Sequence, residues 1–372
     1  MNATETLKQN KNQLIEKYAV RSNWRALWQT INTMVPTLAL LYFAVVNFYT
    51  APWITALLMV PLVLFILRGF VMLHDCGHGC QFKTPTPNKI VGFIWGVLCG
   101  MPQYVWSKHH DYHHATNGNW NKYRGPLAVL SVDEFSELND KQRRRYQNQR
   151  KLWMAPLAGF MYFLFTPRFT WIKGSLQLIT FILKNKIASP SKSIKDIANE
   201  FKTGFWATWP EYWHMTGNNI ALLSLWTLAV MYFGALPFFA VYLTAVSFAG
   251  AWGIILFTVQ HNFENSYATG DEDWNYFTAA LDGTSFLTMP KFMHWFTGDI
   301  GYHHIHHMSA RIPNYNLVAC HEEFAHLFES VTRLTLKDIP YSFQFILWDN
   351  HQNKIISVDQ FNERYGSLAQ AA

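Results

Sequence analysis

Charged residues are scarce in this chain of 372 residues: Asp, Glu, Lys and Arg make up 15% of the sequence, against about 25% in ordinary soluble domains. Apolar residues account for 50% of it and aromatic residues for 17%. This composition argues against the two soluble domains that the length alone would allow. The net charge of +6 is spread among apolar runs, so it does not indicate a nucleic-acid partner. It suits a cytosolic surface that faces anionic lipid.

Cysteine is scarce as well, and the four cysteines have neither the spacing of a disulfide framework nor that of an iron–sulfur site. The chain also lacks the glycine-rich fingerprint of a dinucleotide-binding fold. A resident nicotinamide, flavin or iron–sulfur group is therefore not indicated. Residues 1–30 are polar and charged, so we predict no cleavable signal peptide.

Long apolar runs are abundant. Four of them have the length of a membrane span and form two hairpins whose turns carry no Lys or Arg: residues 31–49, 53–73, 220–236 and 237–260. Basic residues flank the first hairpin, so the positive-inside rule places both chain termini in the cytosol. We predict an all-α integral membrane protein with about four transmembrane helices in two hairpins and a cytosolic, His-rich helical cap.

The predicted spans divide the chain into three parts. They are a cytosolic N-terminal tail or interfacial helix (1–30), a membrane domain (31–320) and a cytosolic C-terminal segment (321–372). Two other apolar stretches, 89–104 and 153–183, are expected at the interface, the second broken at Pro167-Arg168. Arg68 lies inside the second span, and we expect its side chain to extend to the interface.

Three histidine clusters have spacings of three and four residues, which place side chains on one face of a helix. They are His74 and His78; His110, His113 and His114; and His303, His306 and His307. Neutral imidazole binds Zn, Cu, Fe and Ni, and eight ligands exceed what one ion takes. The pattern therefore predicts a site for two metal ions at the cytosolic end of the spans, where a long hydrocarbon could reach it.

Other polar residues near the clusters have weaker claims. For His109, His294 and His304 we expect hydrogen bonding near the metal rather than coordination. His214, His321, His326 and His351 lack partners at ligand spacing, so surface or packing roles are expected. Metal-bound histidines usually need a partner for the second ring nitrogen, and the candidates are Asp75, Asp111, Asn117, Asn119, Asn262, Glu264, Asp299 and Asn314.

The clusters resemble the HxxxH, HxxHH and HxxHH boxes of the membrane fatty acid desaturases. The surrounding sequence is similar too, over His74 to Gly79, Lys108 to Asn119 and Gln260 to Asn265, and the resemblance covers about residues 31–320. It implies a di-iron centre that uses O2 and two electrons to introduce a double bond into a long fatty acyl chain. That chain would be linked to lipid, CoA or acyl carrier protein.

The resemblance also implies a ligand set. Its members are His74, His78, His110, His113, His114, His261, His303, His306 and His307, with His261 as an additional ligand at the end of the last span. Some desaturases carry an Asn one turn earlier, where this chain has Phe257.

Electrons would come from an external carrier, since the chain has no His-Pro-Gly-Gly haem motif. The resemblance implies ferredoxin or cytochrome b5 with its reductase. The basic run from Lys141 to Lys151 could bind an acidic carrier, and a solvated or lipid-facing basic surface is the alternative that the sequence leaves open. The expected location is a bacterial inner membrane, with the histidine clusters on the cytosolic side.

Two other classes of protein share some of these features. A di-iron hydroxylase or ketolase acting on alkanes, sterols or carotenoids has similar boxes, but this chain lacks the Asn-Tyr-x-Glu-His motif of alkane hydroxylases. A non-catalytic membrane protein that binds or transports metal is the alternative outside the enzymes. Transporters usually place ionisable residues near the bilayer midplane, whereas these histidines follow the spans.

Overall fold

The computed structural model describes residues 3–125 and 127–365, and most of them are helical. The helices are α1 (Ala3–Tyr18), α2 (Asn23–Val46), α3 (Pro52–Gly77), α4 (Pro85–Cys99), α5 (Gln103–Thr116), α6 (Val132–Ser136), α7 (Asp140–Gln149), α8 (Ala155–Phe160), α9 (Thr166–Ala188), α10 (Ile194–Glu200), α11 (Trp209–Phe233), α12 (Ala235–His261), α13 (Tyr276–Leu281), α14 (Lys291–Phe296), α15 (His303–Met308), α16 (Asn314–Glu323), α17 (Ile339–Ser342) and α18 (Val358–Tyr365). The strands are β1 (Leu130–Ser131), β2 (Phe286–Thr288), β3 (Arg333–Thr335), β4 (Phe345–Asp349) and β5 (Lys354–Ser357). The helical fold class predicted from the sequence is confirmed.

Three helices in the described part of the chain, α2, α3 and α12, are long and apolar enough to cross a membrane. They correspond to three of the four predicted spans, although α2 ends at Val46, before the predicted end at residue 49. Large apolar side chains on their surfaces remain exposed, among them Val35 on α2 and Val60 on α3, as expected for helices that face lipid. The chain is therefore built as a membrane protein.

The fourth predicted span, residues 220–236, lies mainly in α11. The helix begins earlier than predicted and ends at Phe233, because Gly234 has a φ of 85° and separates α11 from α12. With 25 residues α11 is long enough to span, but it is not among the three helices that meet the hydropathy criterion as well. A fourth crossing stays a prediction.

A bend of 101° separates α4 from α5, and it falls in the stretch predicted to lie at the interface. Gly100 closes α4 with a φ of 78°, which glycine adopts at little cost. A Cβ on Gly100 would lie 2.8 Å from Leu164 Cδ2, so a side chain would also force this wall apart. The bend is that of either a broken span or a re-entrant loop, and it turns α5 so that the second histidine cluster meets the first.

The stretch 153–183 forms a nearly continuous helix, and the predicted break at Pro167-Arg168 is wrong. A π-turn, Met161–Phe165, joins α8 to α9, and Pro167 lies in the first turn of α9, where a missing N–H is tolerated. Pro167 cannot donate to the carbonyl of Phe163, four residues earlier. Arg168 Nη1 donates to that oxygen instead, at 3.2 Å.

Arg168 also joins three elements around this turn. Its Nε donates to Asn219 Oδ1 on α11 at 2.8 Å, and its Nη2 donates to the carbonyl of Gly100 at the α4–α5 bend. The side chain is buried. One guanidinium thus connects the π-turn, the bend and α11. At the π-turn and the bend it donates to backbone carbonyls, which need a hydrogen-bond donor when they are buried.

Arg68 does not extend to the interface, so that prediction is wrong. The side chain is 2% exposed, its Nε donates to Thr33 Oγ1 at 3.0 Å, and its Nη1 donates to the carbonyl of Trp295. The guanidinium carbon also lies 3.9 Å from the centroid of the Trp295 ring, a cation–π contact. The reason is that α14 covers α3 at this level and supplies the partners. Arg68 thereby holds the segment that leads to the third histidine cluster.

The N-terminal segment, predicted as a tail or an interfacial helix, contains the helix α1, which packs on α15 and α16. Leu7 and Leu14 of α1 are fully buried and share a core cluster with Ile305 and Met308 of α15. Lys17 and Tyr18 also contact Glu323 of α16. This helix packs over the helix of the third cluster. Together α1, α5–α7 and α13–α18, with the strands between them, form the cap, which holds the second and third clusters. Residues 1–2 and 366–372 of the predicted terminal segments lie outside the described residues.

Two small sheets complete the cap and were not predicted. In one, β4 pairs parallel with β1 and antiparallel with β5; in the other, β2 pairs parallel with β3. Strands this short carry too few positions to show a period of two. The proposed boundary at residue 320 falls inside α16, which belongs to the same cap.

We expect Arg168→Met to lower the thermal stability of the detergent-solubilised protein. The change leaves the carbonyls of Phe163 and Gly100 without the Arg168 donors, at a cost of about 1–3 kcal/mol for each buried group. Thermal unfolding followed by circular dichroism measures it. Lys184→Met removes an exposed cation from the same helix and serves as the control. Equal melting temperatures for both variants would contradict the role assigned to Arg168.

Candidate metal centre and cavity

The structure brings the nine predicted ligands together in two groups. The five-histidine group contains His74, His78, His110, His114 and His306; the four-histidine group contains His113, His261, His303 and His307. Within each group, one nitrogen atom from every residue lies within 4.8 Å of those of the others. Each group can therefore supply several imidazole ligands to one metal ion.

The neighbouring histidines of the second and third clusters belong to different groups. His113 joins the four-histidine group and His114 the five-histidine group, while His306 and His307 divide in the opposite order. Successive residues on a helix point about 100° apart, so an adjacent pair can serve two sites side by side. This explains why both clusters end in two consecutive histidines.

Four helices carry these side chains. The last turn of α3 holds His74, and His78 caps that helix; α5 carries the second cluster, α12 ends at His261, and the short α15 carries the third cluster. The ends of two long apolar helices thus meet two polar helices of the cap, which places the histidines where the apolar helices end.

The imidazoles converge through their Nε2 atoms. In the five-histidine group, His110 and His114 have Nε2 atoms 3.1 Å apart. In the four-histidine group the distances are 3.1 Å between His113 and His307 and 2.9 Å between His261 and His303. The rings of His114 and His307 stack with centroids 4.2 Å apart. The two groups are therefore direct neighbours.

Several histidines have a partner on the other ring nitrogen. His74 Nδ1 lies 2.8 Å from Asp75, whose other oxygen accepts hydrogen bonds from the backbone and side chain of Asn314 at 3.0 and 2.8 Å. His78 Nδ1 lies 3.2 Å from Asp111, and His261 Nδ1 lies 3.2 Å from the carbonyl of Gly283. Such partners fix the ring orientation and direct Nε2 towards a metal.

Two of the eight candidate partners, Asp75 and Asp111, therefore contact a histidine ring nitrogen as expected, and a third, Asn314, acts one step further out by holding Asp75. The other five make different contacts. Asn117 bonds to Ala279, Asn119 to Asp271, Asn262 to Phe345 and Glu264 to Tyr341, while Asp299 lies near His294.

The donor set fits metal ions. Nε2 of His78 and of His306 are buried and have no hydrogen-bond partner among the described residues, although buried polar atoms are almost always paired. Burial, reinforced by the neighbouring imidazoles, lowers the pKa of His303, His306 and His307 well below the ordinary histidine value. The rings are neutral at physiological pH, and each keeps a lone pair for a metal.

The remaining histidines lie outside both groups. His109 is exposed, and His304 Nε2 lies 3.1 Å from His321 Nδ1 in the core of the cap. His294 Nε2 accepts a hydrogen bond from the backbone of Met289 at 3.2 Å. His351 Nε2 pairs with Asp133 on the surface, so it does have a partner, although not a metal site.

A cavity of about 870 Å³ adjoins both histidine groups, a volume typical of ligand pockets. Its wall includes His74 and His110 from the five-histidine group and His113 and His303 from the four-histidine group. Most of the remaining wall is apolar, with Phe257 packed 4.8 Å from the ring of His113. An apolar chain in this cavity would pass directly beside the histidines.

The sequence identified the residues of this wall only in part. Four aromatic residues near the clusters, Trp95, Tyr104, Trp106 and Trp120, could line a channel or simply pack in the membrane, and the sequence does not separate these roles. Of these four, Trp106 lines the cavity, and its ring stacks on His110. Trp95 is buried elsewhere and Trp120 lies in the core of the cap. Tyr123 and Tyr162 line the cavity as well and were missed, because no periodic signal marks the loop of the first or the π-turn of the second.

The four cysteines are free and buried, as expected of packing side chains, and none belongs to a histidine group. The class of protein is defined by three features: long apolar helices, two groups of buried histidines, and an apolar cavity beside these groups. The members are membrane proteins that can hold metal ions next to an apolar ligand.

Comparison with known proteins gives the family. The sequence model of the family described as fatty acid desaturase matches residues 49–335. A Bacillus subtilis protein named fatty acid desaturase is 31% identical over 357 residues, which cover 95% of this chain and 92% of the relative. The chain therefore belongs to the fatty acid desaturase family.

Two cyanobacterial relatives are more distant. The chain is 21% identical to the sn-1 oleoyl-lipid 12-desaturase of Anabaena variabilis, with 82% of this chain and 77% of the relative covered. It is 24% identical to the sn-1 acyl-lipid omega-3 desaturase (ferredoxin) of Synechocystis, with 76% and 70% covered. Together with the site, family membership identifies an oxidoreductase that desaturates fatty acyl chains and disfavours the hydroxylase, ketolase and non-catalytic alternatives.

We expect Asp75→Asn to weaken metal retention about 10- to 100-fold, because loss of a histidine-orienting carboxylate has effects of that size. The metal-to-protein ratio after dialysis against a graded chelator measures it. Asp133→Asn is the matched control, since Asp133 pairs with His351 outside both groups. Wild-type metal retention in Asp75→Asn would show that this carboxylate does not orient a ligand.

Proposed function

We propose that the two histidine groups hold two iron ions, with all nine histidines as ligands, and that the enzyme introduces a double bond into a long fatty acyl chain with O2 as co-substrate. The observation that carries this proposal is the cavity wall, in which histidines of both groups face one apolar space. Imidazole suits iron but does not select it over zinc or copper. Membership of the desaturase family supports iron.

Two iron ions would supply the activation of O2 that breaking an unactivated C–H bond requires, and the protein would supply position. The apolar wall, including Leu67 and Phe70 of α3, would hold the chain away from water. Because cavity and histidines adjoin, one pair of neighbouring carbons would lie beside the metal site. Phe257 stands where some desaturases carry an asparagine, and its side chain cannot bind a metal. The four-histidine group would therefore offer one ligand fewer than the five-histidine group.

The acyl group is proposed to be linked to a membrane lipid. The names of the two cyanobacterial relatives specify lipid-linked chains. The long apolar helices and the apolar cavity agree with a substrate that stays in the bilayer. CoA and acyl carrier protein remain the alternative forms of substrate, and a fatty acid profile of separated lipid classes distinguishes them.

Electrons are proposed to come from an external carrier, ferredoxin or cytochrome b5 with its reductase. The name of the Synechocystis relative includes ferredoxin. In the basic run, Arg143 and Arg150 donate to backbone carbonyls of the cap. Lys141, Arg144, Arg145 and Lys151 are exposed and leave four cations for an acidic carrier.

The proposed topology has four spans, α2, α3, α11 and α12, with both chain termini and both histidine groups in the cytosol of a bacterial cell. Support comes from the uncharged turn between α2 and α3 and from the basic segments that flank this hairpin. An even number of crossings between consecutive clusters is required, because the five-histidine group draws ligands from all three clusters. The bent pair α4 and α5 would then be re-entrant.

We expect bacterial cells that express the chain, together with a competent electron donor, to contain an unsaturated fatty acid that is absent from cells expressing His110→Ala. His114→Ala and His307→Ala should abolish the product as well, while membrane insertion is unchanged. Gas chromatography with mass spectrometry of the fatty acid esters measures it. Hydroxylated or ketone products would move the protein to the hydroxylases or ketolases, and wild-type activity in a variant would remove that histidine from the ligand set.

His351→Ala should retain activity within about twofold of wild type. Its imidazole is exposed and pairs with Asp133 outside both groups, and such surface contacts contribute little to stability. The same fatty acid profile measures it. An inactive but folded His351→Ala variant would show that the cap surface takes part in the reaction.

A further inference from the structure

A second recess lies on the outside of α9. It is an open groove of about 660 Å³ whose wall combines apolar side chains, among them Phe169, Leu176 and Phe201, with Lys173 and Lys184. Its face of α9 is only partly covered, and Ile172 and Leu176 are largely exposed. The groove therefore offers apolar surface and positive charge together, as a phospholipid requires.

The groove and the large cavity follow one another along a single stripe of α9. The stripe consists of Thr166, Thr170, Lys173, Gln177, Thr180 and Lys184. Spacings of three and four residues keep these side chains on one face of the helix. The first two line the cavity, and the other four line the groove. The groove and the cavity are therefore neighbours along one face of α9, with Lys173 and Thr170 at their adjoining ends.

Lys173 marks the junction between the two spaces. Its Nζ lies 5.5 Å from the ring centroid of Phe169, in the groove, and 5.6 Å from that of Phe205, in the cavity wall. Beside Phe205, Gly204 has no heavy atom within 4 Å of the position a Cβ would take. There is therefore open space next to Phe205 at this point of the wall.

The lysines of the groove are free to bind an anion. Neither Lys173 nor Lys184 forms an ion pair within residues 3–125 and 127–365. The carboxylate of Glu200, next to Phe201, is already paired with Lys192. At the edge of an apolar groove, an unpaired ammonium group attracts phosphate.

We propose that this groove is where a membrane phospholipid enters the enzyme. The phosphate binds Lys173, and one acyl chain passes between Thr170 and Phe205 into the cavity that adjoins the histidine groups. The inference rests on the proposed function, since it specifies how a lipid-linked chain reaches the site. It assigns substrate entry to the lipid-facing side of α9 and not to the cap.

Lys184 provides a matched control. It has the same charge and exposure on the same stripe, but it lies 11 residues further along, about 16 Å at the helical rise per residue. If anionic lipid were attracted to α9 in general, replacing either lysine would reduce lipid binding by the same amount. Binding of one phosphate at the entrance would involve Lys173.

Photocrosslinking tests the proposal without turnover. The full-length protein is reconstituted in phosphatidylglycerol vesicles that contain phosphatidylglycerol with a diazirine in one acyl chain, and labelled peptides are mapped by mass spectrometry. We expect labelling of the cavity segments around Phe163 and Phe257. Lys173→Gln should reduce it about tenfold, the loss of one charge-assisted contact, and Lys184→Gln less than twofold. Thr170→Trp should reduce labelling in the cavity but not in the groove.

Equal reductions by the two lysine variants would overturn the phosphate site at Lys173, and cavity labelling that Thr170→Trp leaves unchanged would overturn the route. Labelling is measured without turnover, so its result does not depend on whether the enzyme is active. If the mapped labelling is as expected but cells make no unsaturated product, the entry site stands and the proposed function fails. If the product forms while the cavity of the wild type is not labelled, the function stands and this inference fails.

Discussion

The fixed angle between successive residues of a helix is the constraint on which the centre depends. On α5 and on α15, two consecutive histidines must point into different groups, so these helices have to lie between the two groups. The last turns of α3 and α12 then have to approach from the side of the apolar helices to complete each set. Nine imidazoles meet only if all four helix directions agree within the reach of one side chain.

The elements that set these directions are irregular. The bend at Gly100 aims α5, the π-turn contributes to the cavity wall, and two buried arginines donate to backbone carbonyls at helix ends and at the π-turn. Arg168 serves Phe163 and Gly100, and Arg68 serves Trp295. A buried cation surrounded by carbonyls is costly unless every partner is present. These contacts therefore give the irregular backbone one well-defined arrangement.

Local patterns explain how much of this could be predicted. Helical spacing was enough to identify the clustered histidines, because a ligand face is visible within five residues, and hydropathy was enough for α2, α3 and α12. His261 stands alone and was found only through resemblance to a family. The assignment of each histidine to a group depends on the mutual packing of four helices, which no local pattern records. The partners of Arg68 and the unbroken helix at Pro167 could not be predicted for the same reason, because both depend on contacts with residues far away in the sequence.

The docking of α1 on the cap has a consequence for the order in which the protein is made. Leu7 and Leu14 leave the ribosome well before their partners on α15, which lie in the last quarter of this sequence. His306 and His307, which complete the two groups, are synthesised at the same late stage. The apolar hairpin of α2 and α3 is therefore in place long before either metal site has its full set of ligands. Neither histidine group is complete until α15 has been translated, and the N-terminal helix can pack over the third cluster only from that stage onwards.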